Sequence, residues 1–336
     1  MNTRWLSSLG DDLRESRLYQ GLAVAALLAV VTLIIGPFFG TPPFFFYLMF
    51  WTSLALALNI LFGFTGYVPF GYFAFYGVGS YAVAMSFIHL GLPMLAGVLV
   101  SGLAGVLLAV LFFPMLKLDG IYFAIANFAA AYAIRIGVNL TPRELTGGAT
   151  GLELAQAYAP VQTYYTMFAV ALVIVVTSLW LSRSRTGLIL KAIREDAIAA
   201  ETCGINRGRV RSYAWLLSAG FGGVLGGIDA WNTAVVDPNS AFDVMISIKP
   251  FLYTIFGGVG TVLGPIFGSF SLYMIDTWIQ DLVPTGTYLL TGFVLMLVVL
   301  LVPRGIIAEL RERNLLGFGS ETTDETAASS LEVSER

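Results

Sequence analysis

The chain consists of long apolar runs separated by short polar breaks. Leu22 to Ile35 is apolar apart from Thr32, and comparable runs recur as far as Pro303, without the polar and apolar alternation of barrel strands. At about 20 residues per helical crossing, the sequence between Gly21 and Pro303 has room for roughly eight to ten spans. The runs predict helices near 21–39, 44–62, 70–89, 92–115, 118–137, 162–181, 212–231, 249–260, 262–280 and 286–303. The last two runs before residue 280 are short enough that one could be re-entrant. This describes an all-α, polytopic helical bundle of about ten membrane-crossing helices, some of them discontinuous. One segment has a different pattern. From Thr186 to Gly204, Ile189, Ile193, Ala197 and Ala200 recur at three- and four-residue spacing, with Lys191, Arg194, Glu195 and Glu201 off that stripe. The pattern predicts one amphipathic helix, too polar to span and closed by Gly204 at positive φ. Small residues at Ala197, Ala199 and Ala200 favour close docking of a protein partner over lipid anchorage.

Lysine and arginine orient the spans. Arg183, Arg185, Lys191, Arg194, Arg207, Arg209 and Arg211 crowd residues 182–212, which the positive-inside rule places in the cytoplasm. Six predicted spans precede this loop and four follow it, so both termini are expected on the same side. Residues 1–20 mix Arg4, Arg14 and Arg17 with Asp11, Asp12 and Glu15 and read as a cytoplasmic segment. Residues 304–336 turn rich in Ser, Thr and Glu and read as a cytoplasmic, partly disordered tail. The membrane domain is thus 21–303. Its longest outer loop, Asn139 to Val161, is expected to hold a short interfacial helix around Leu152, Leu154 and Ala155.

Composition excludes several kinds of chemistry. Residues AVILMFWYC make up 57% and charged residues 12%, against about 45–50% and about 25% in soluble domains. A chain with 1 His and 1 Cys builds no disulfide, no Cys-His nucleophile pair and no His or Cys metal cluster, so no catalytic residue, metal or cofactor is assigned. Lys117, Lys191 and Lys249 each follow Leu or Ile, where a phosphate-binding loop needs Gly-Lys-Ser/Thr, so any ATP hydrolysis must come from another chain. The net charge of −3 implies no nucleic-acid partner.

Two glycine-rich stretches share the pattern F-G-x-x-G-x-V: Phe62–Gly71 and Phe256–Pro265. Unpaired backbone at membrane depth survives where it is buried in protein or lines a cavity, and discontinuous helices of that kind present backbone groups to a solute. Gly63, Gly66, Gly71, Gly257, Gly258, Gly260, Gly264 and Pro265 are therefore candidate pathway residues, with helix packing and tight turns as the alternative. The shared spacing weighs toward functional breaks. Gly220, Gly222, Gly223, Gly226 and Gly227 read instead as a small-residue packing face. Of the charges near spans, Asp119, Asp229, Lys249 and Arg135 are expected at interfaces, as is His89, and Asp276 is the best candidate for a buried charge.

The segment GLILKAIREDAIAAETCGINRGRVR resembles the cytoplasmic coupling loop of bacterial ATP-binding-cassette importer permeases, with Ala199, Ala200 and Gly204 in place and Ile198 where that pattern has Glu. The ordered blocks LALNILFGFTG, FYGVGSY, LTGGATGL, LSAGFGGVLGG, IFGGVGTVLGPIFG and PRGI are similar to the LivH/LivM permeases for branched-chain amino acids, and closer to the LivM-like branch. The resemblance implies a permease in the bacterial inner membrane, with Arg194, Glu195, Asp196, Ala199, Ala200 and Gly204 meeting an ATPase. It also implies a second permease subunit in a heterodimer, two ATPase subunits and a periplasmic or lipid-anchored substrate-binding protein. Tyr72 and Lys249 depart from the His or Gln and the Glu common in the family, and permeases for urea, amides and other amino acids share these blocks. The transporter class therefore follows more firmly than the cargo. The alternative class, an ion-coupled secondary carrier, needs a buried carboxylate or proton relay and leaves the loop without a task.

Overall fold

The computed structural model describes residues 42–118 and 120–282, together with Gly292. The N-terminal segment 1–20, the expected span at 21–39, Asp119, the tail 304–336 and, apart from Gly292, the expected span at 286–303 lie outside the described residues.

Among the described residues five helices are long and apolar enough to cross a membrane: α1 (Pro42–Thr65), α2 (Phe73–Leu90), α3 (Met94–Leu111), α4 (Ile121–Leu140) and α6 (Pro160–Arg183). Between α4 and α6 lies the short α5 (Arg143–Thr146). The basic loop forms α7 (Arg185–Glu195) and α8 (Ala197–Thr202), followed by α9 (Arg207–Thr233), α10 (Pro238–Ala241), α11 (Met245–Gly257) and α12 (Leu263–Leu282). The chain is a multi-pass helical membrane protein. The end of the bundle carrying α7 and α8 is called the loop end below, and the opposite one the far end.

α1 is the central helix. Leu54, Ala55, Leu56, Ala57, Ile60 and Leu61 are fully buried, and α6, α9, α11 and α12 pack around it. A helix apolar on every side is stable in that position, because it has no polar face to leave outside. The glycine face of α9 packs as its spacing predicts. A Cβ added at Gly79 of α2 would lie 2.6 Å from the Gly223 Cα, and one at Gly223 would lie 3.2 Å from the Gly105 Cα of α3. Three backbones meet there with no side chain between them, the close approach that small residues permit in lipid. On the other face of α3, Leu95, Leu99, Leu103 and Leu107 are exposed at four-residue spacing, which suits contact with acyl chains.

Several expectations shift. The helix expected over 92–115 stops at Leu111 and continues as a 3-10 turn over Phe113–Lys117, because Pro114 donates no backbone N–H and crowds the preceding turn. The helix expected from 212 begins at Arg207, capped by the Asn206 side chain, which accepts from the Arg209 N–H. The expected 118–137 helix waits for Gly120, at φ 56°, and starts at Ile121. The loop 139–161 holds α5 and two short 3-10 turns, and none of them includes Leu152 or Leu154. Leu152–Glu153 instead forms a strand paired antiparallel with Val235–Val236, and a 3-10 turn follows at Ala155–Ala157. The single amphipathic helix expected over Thr186–Gly204 is two helices, because Asp196 takes an extended conformation and its carboxylate caps the N–H groups of Ile198 and Ala199. Gly204 closes α8 at φ 80°, as the sequence predicts.

Candidate functional site

The two F-G-x-x-G-x-V stretches adopt matching corners. Gly66 and Gly260 occupy the same place in the pattern and have φ of 78° and 76°, a region that costs other L-residues roughly 1–2 kcal/mol. In the first stretch Gly63 remains within the last turn of α1, and Gly71 lies in the turn leading to α2. In the second, Gly257 ends α11, Gly258 has φ 124°, and Gly264 and Pro265 lie in the first turn of α12, where a proline's missing N–H costs nothing. The breaks are therefore the junctions α1–α2 and α11–α12.

These junctions touch each other. A Cβ on Gly63 would lie 2.8 Å from the Gly260 nitrogen, and one on Gly260 would lie 2.7 Å from the Gly63 carbonyl oxygen. Asn59, fully buried one turn before Gly63, accepts from the Gly260 N–H at 3.1 Å and donates through Nδ2 to the Thr261 carbonyl at 2.8 Å. The side-chain amide thus pairs with both polar groups that the α11–α12 corner would otherwise leave open inside the bundle.

Arg194 at the end of α7 completes the cluster. Its Nη1 donates to the Gly63 carbonyl at 2.6 Å, and Gly260 packs against the same nitrogen. Both glycine corners therefore lie at the loop end, directly beneath the amphipathic segment. Within that segment Leu190, Ile193 and Ala200 are buried against the bundle, while Glu195, Asp196, Ala199 and Ile198, 74% exposed, face outward. Among the candidate coupling residues Ala200 is buried and Arg194, itself exposed, reaches back through its guanidinium to Gly63, whereas Glu195, Asp196 and Ala199 face away from the protein. Glu201 pairs with Arg207 at 2.7 Å and ties α8 to α9.

A second polar centre lies at the far end, around a cavity of about 340 Å³ lined by α1, α2, α9, α10 and α11. Asp229, near the end of α9, and Lys249, near the start of α11, both line its wall. Lys249 is largely buried and forms an ion pair with Asp276 of α12 at 2.7 Å. Asp276 is itself 5% exposed and so is the buried charge the sequence suggests. An α11–α12 hairpin with one charge on each arm keeps both satisfied, since an unpaired charge at this depth is costly. Asp229 accepts from the Tyr76 hydroxyl at 2.5 Å through Oδ2, while its buried Oδ1 has no hydrogen-bond partner. Asp237, beyond the end of α9, caps α10. Burial pushes its carboxyl up, but the Ser240 hydroxyl and the Asn239 and Ser240 N–H groups outweigh this and hold it below the usual carboxylate range. Arg135 donates to Asn239 Oδ1 at 2.9 Å, and His89 lies exposed near the Leu145 carbonyl.

The sequence profile of the branched-chain amino acid transport system permease component family matches residues 41–302, from the first described helix through the whole glycine architecture. The chain belongs to this family. The permease is 29% identical over 81% of its length to a high-affinity branched-chain amino acid transport system permease protein LivM from Salmonella typhimurium, covering 71% of that protein. It is 28% identical over 91% of its length to the Escherichia coli LivM, covering 79% of that protein. A probable LivH from Methanocaldococcus jannaschii is 28% identical over 41% of this chain and 44% of its own length. No solved structure matches the permease. It is accordingly a transport component, not an enzyme, and it works within a multi-subunit transport system.

Asn59, which holds the α11–α12 corner, is not among the candidates that the glycine pattern picks out. A lone amide inside LALNILFG, four residues before a glycine break, is a signal in itself, because a buried amide in an apolar helix needs partners and an irregular backbone offers both a donor and an acceptor.

Proposed function

We propose that this permease is the LivM-like half of a heterodimeric pathway in an ATP-driven importer of the bacterial cytoplasmic membrane. The basic loop and both termini face the cytoplasm. Two separate ATPase subunits dock on the outward face of α7 and α8, and a periplasmic or lipid-anchored binding protein delivers solute to the far end. The cargo is a branched-chain amino acid or a related small polar solute, a reading supported by the similarity to the two LivM permeases. Gly63, Gly66, Gly71, Gly257, Gly258, Gly260, Gly264 and Pro265 form the bending corners of the pathway.

The observation that carries the coupling role is the hydrogen bond from Arg194 to the Gly63 carbonyl beside Gly260. A push on α7 reaches both helix junctions through one guanidinium, with no flexible linker between. The test is Arg194→Met in the complete transporter, reconstituted in proteoliposomes with its binding protein. Losing one charge-assisted hydrogen bond should lower leucine uptake by about tenfold or more. The ATPases should still co-purify and still hydrolyse ATP. Uptake at the parental rate would remove Arg194 from the coupling path.

A further inference from the structure

The far-end cavity has a charge imbalance that its own contacts leave in place. Asp229, Asp237, Asp243 and Lys249 contribute to its wall, but Lys249 is already matched by Asp276 behind it. Two of the three carboxylates cap local backbone: Asp237 takes the Asn239 and Ser240 N–H groups, and Asp243 takes the Met245 N–H. Asp229 has no such role. It receives one hydrogen bond, from Tyr76, and keeps a carboxylate oxygen without a partner at a depth where such oxygens are normally satisfied. Lys249, across the same cavity, pairs with the Asp276 carboxylate through an ammonium that has three donors, and its Nζ lies 5.4 Å from the Trp51 ring centre. The rest of the wall is mainly aliphatic and aromatic, including Val236, Ala241 and Ile246. At about 340 Å³ the space is at the small end of the range for organic ligands.

We propose that this cavity is a subsite for a zwitterionic α-amino acid with a short aliphatic side chain, in which Asp229 takes the ammonium group and Lys249 the carboxylate. The aliphatic tail lies on the Trp51 and Ile246 side. Solute binding then supplies the missing partner of Asp229 and adds a second anion to Lys249, a change felt directly by the α11–α12 hairpin whose other end is the Gly260 corner. This rests on the importer reading above and adds the chemical class and the two contact residues.

The test uses the complete transporter carrying Cys203→Ser and a Val235→Cys reporter at the cavity wall, with labelling by a membrane-impermeant maleimide from the far side. Millimolar leucine should slow labelling of the reporter, whereas 4-methylpentanoate, which lacks the ammonium, and leucinamide, which lacks the carboxylate, should not. With each rate taken relative to the same variant without solute, Asp229→Asn should raise the leucine concentration for half protection by about tenfold or more. Equal protection by leucine and 4-methylpentanoate overturns the role of Asp229, and equal protection by leucinamide overturns that of Lys249. Leucine uptake by the parental transporter without any protection overturns the subsite and leaves the importer reading intact. Absence of uptake of any aliphatic amino acid by the parental transporter overturns the importer reading itself. The analogue comparison is made in the parental background, so it stands even if Asp229→Asn fails to assemble.

Discussion

At the scale of single residues, Gly66 and Gly260 separate two demands that glycine meets. Both need positive φ, but a Cβ at Gly66 meets only the Arg194 side chain at 3.4 Å, whereas one at Gly260 meets Arg194 Nη1 at 2.6 Å and the Gly63 oxygen at 2.7 Å. Asparagine accepts the left-handed conformation better than other non-glycine residues. Gly66→Asn should therefore cost at most about 1 kcal/mol and keep most leucine uptake. Gly260→Asn should displace Arg194, abolish uptake and lower the melting temperature of the purified complex. Equal behaviour of the two variants in uptake and thermal melting would mean that the corner conformation, and not the contact, matters at both positions.

At the scale of elements, the short helix α8 divides into an inward and an outward side. Ala200 is buried against the permease itself, so Ala200→Glu places a carboxylate inside this chain and should destabilise its own fold, visible as poor expression and early melting. Ile198 is exposed, and Ile198→Asp should leave melting unchanged while reducing ATPase retention on pull-down several-fold. The sequence made much of this legible. The apolar runs locate the long helices to within a few residues, the glycine spacing of α9 announces its packing face, and the positive φ at Gly204 follows from its place after an amphipathic stripe. Illegible were one local competition and the pairings between distant segments. The break at Asp196 depends on a capping bond that competes with a continuous helix, and the Leu152–Glu153 strand exists only because Val235–Val236, more than eighty residues later, lies beside it. The glycine corners were visible as breaks, but their meeting at Arg194 is a tertiary fact with no local signature.

At the scale of the whole molecule, the expected sidedness can be read with the protein's own thiol. Cys203 is free and exposed in the turn after α8. In intact right-side-out vesicles an impermeant maleimide should leave it unlabelled, and permeabilisation should label it fully. Labelling before permeabilisation would invert the bundle and with it the direction of transport. The seam where Gly79, Gly105 and Gly223 bring α2, α3 and α9 together has a consequence of another kind. Every replacement for glycine carries at least a Cβ, so no single codon change at the centre of this seam escapes overlap with a neighbouring backbone. The leucines on the outer face of α3 can drift among apolar residues at almost no cost, because lipid accepts any of them. Over evolutionary time the two sides of one helix should therefore change at very different rates, with lineages diverging freely in the surface they show to the bilayer while the glycine seam stays fixed.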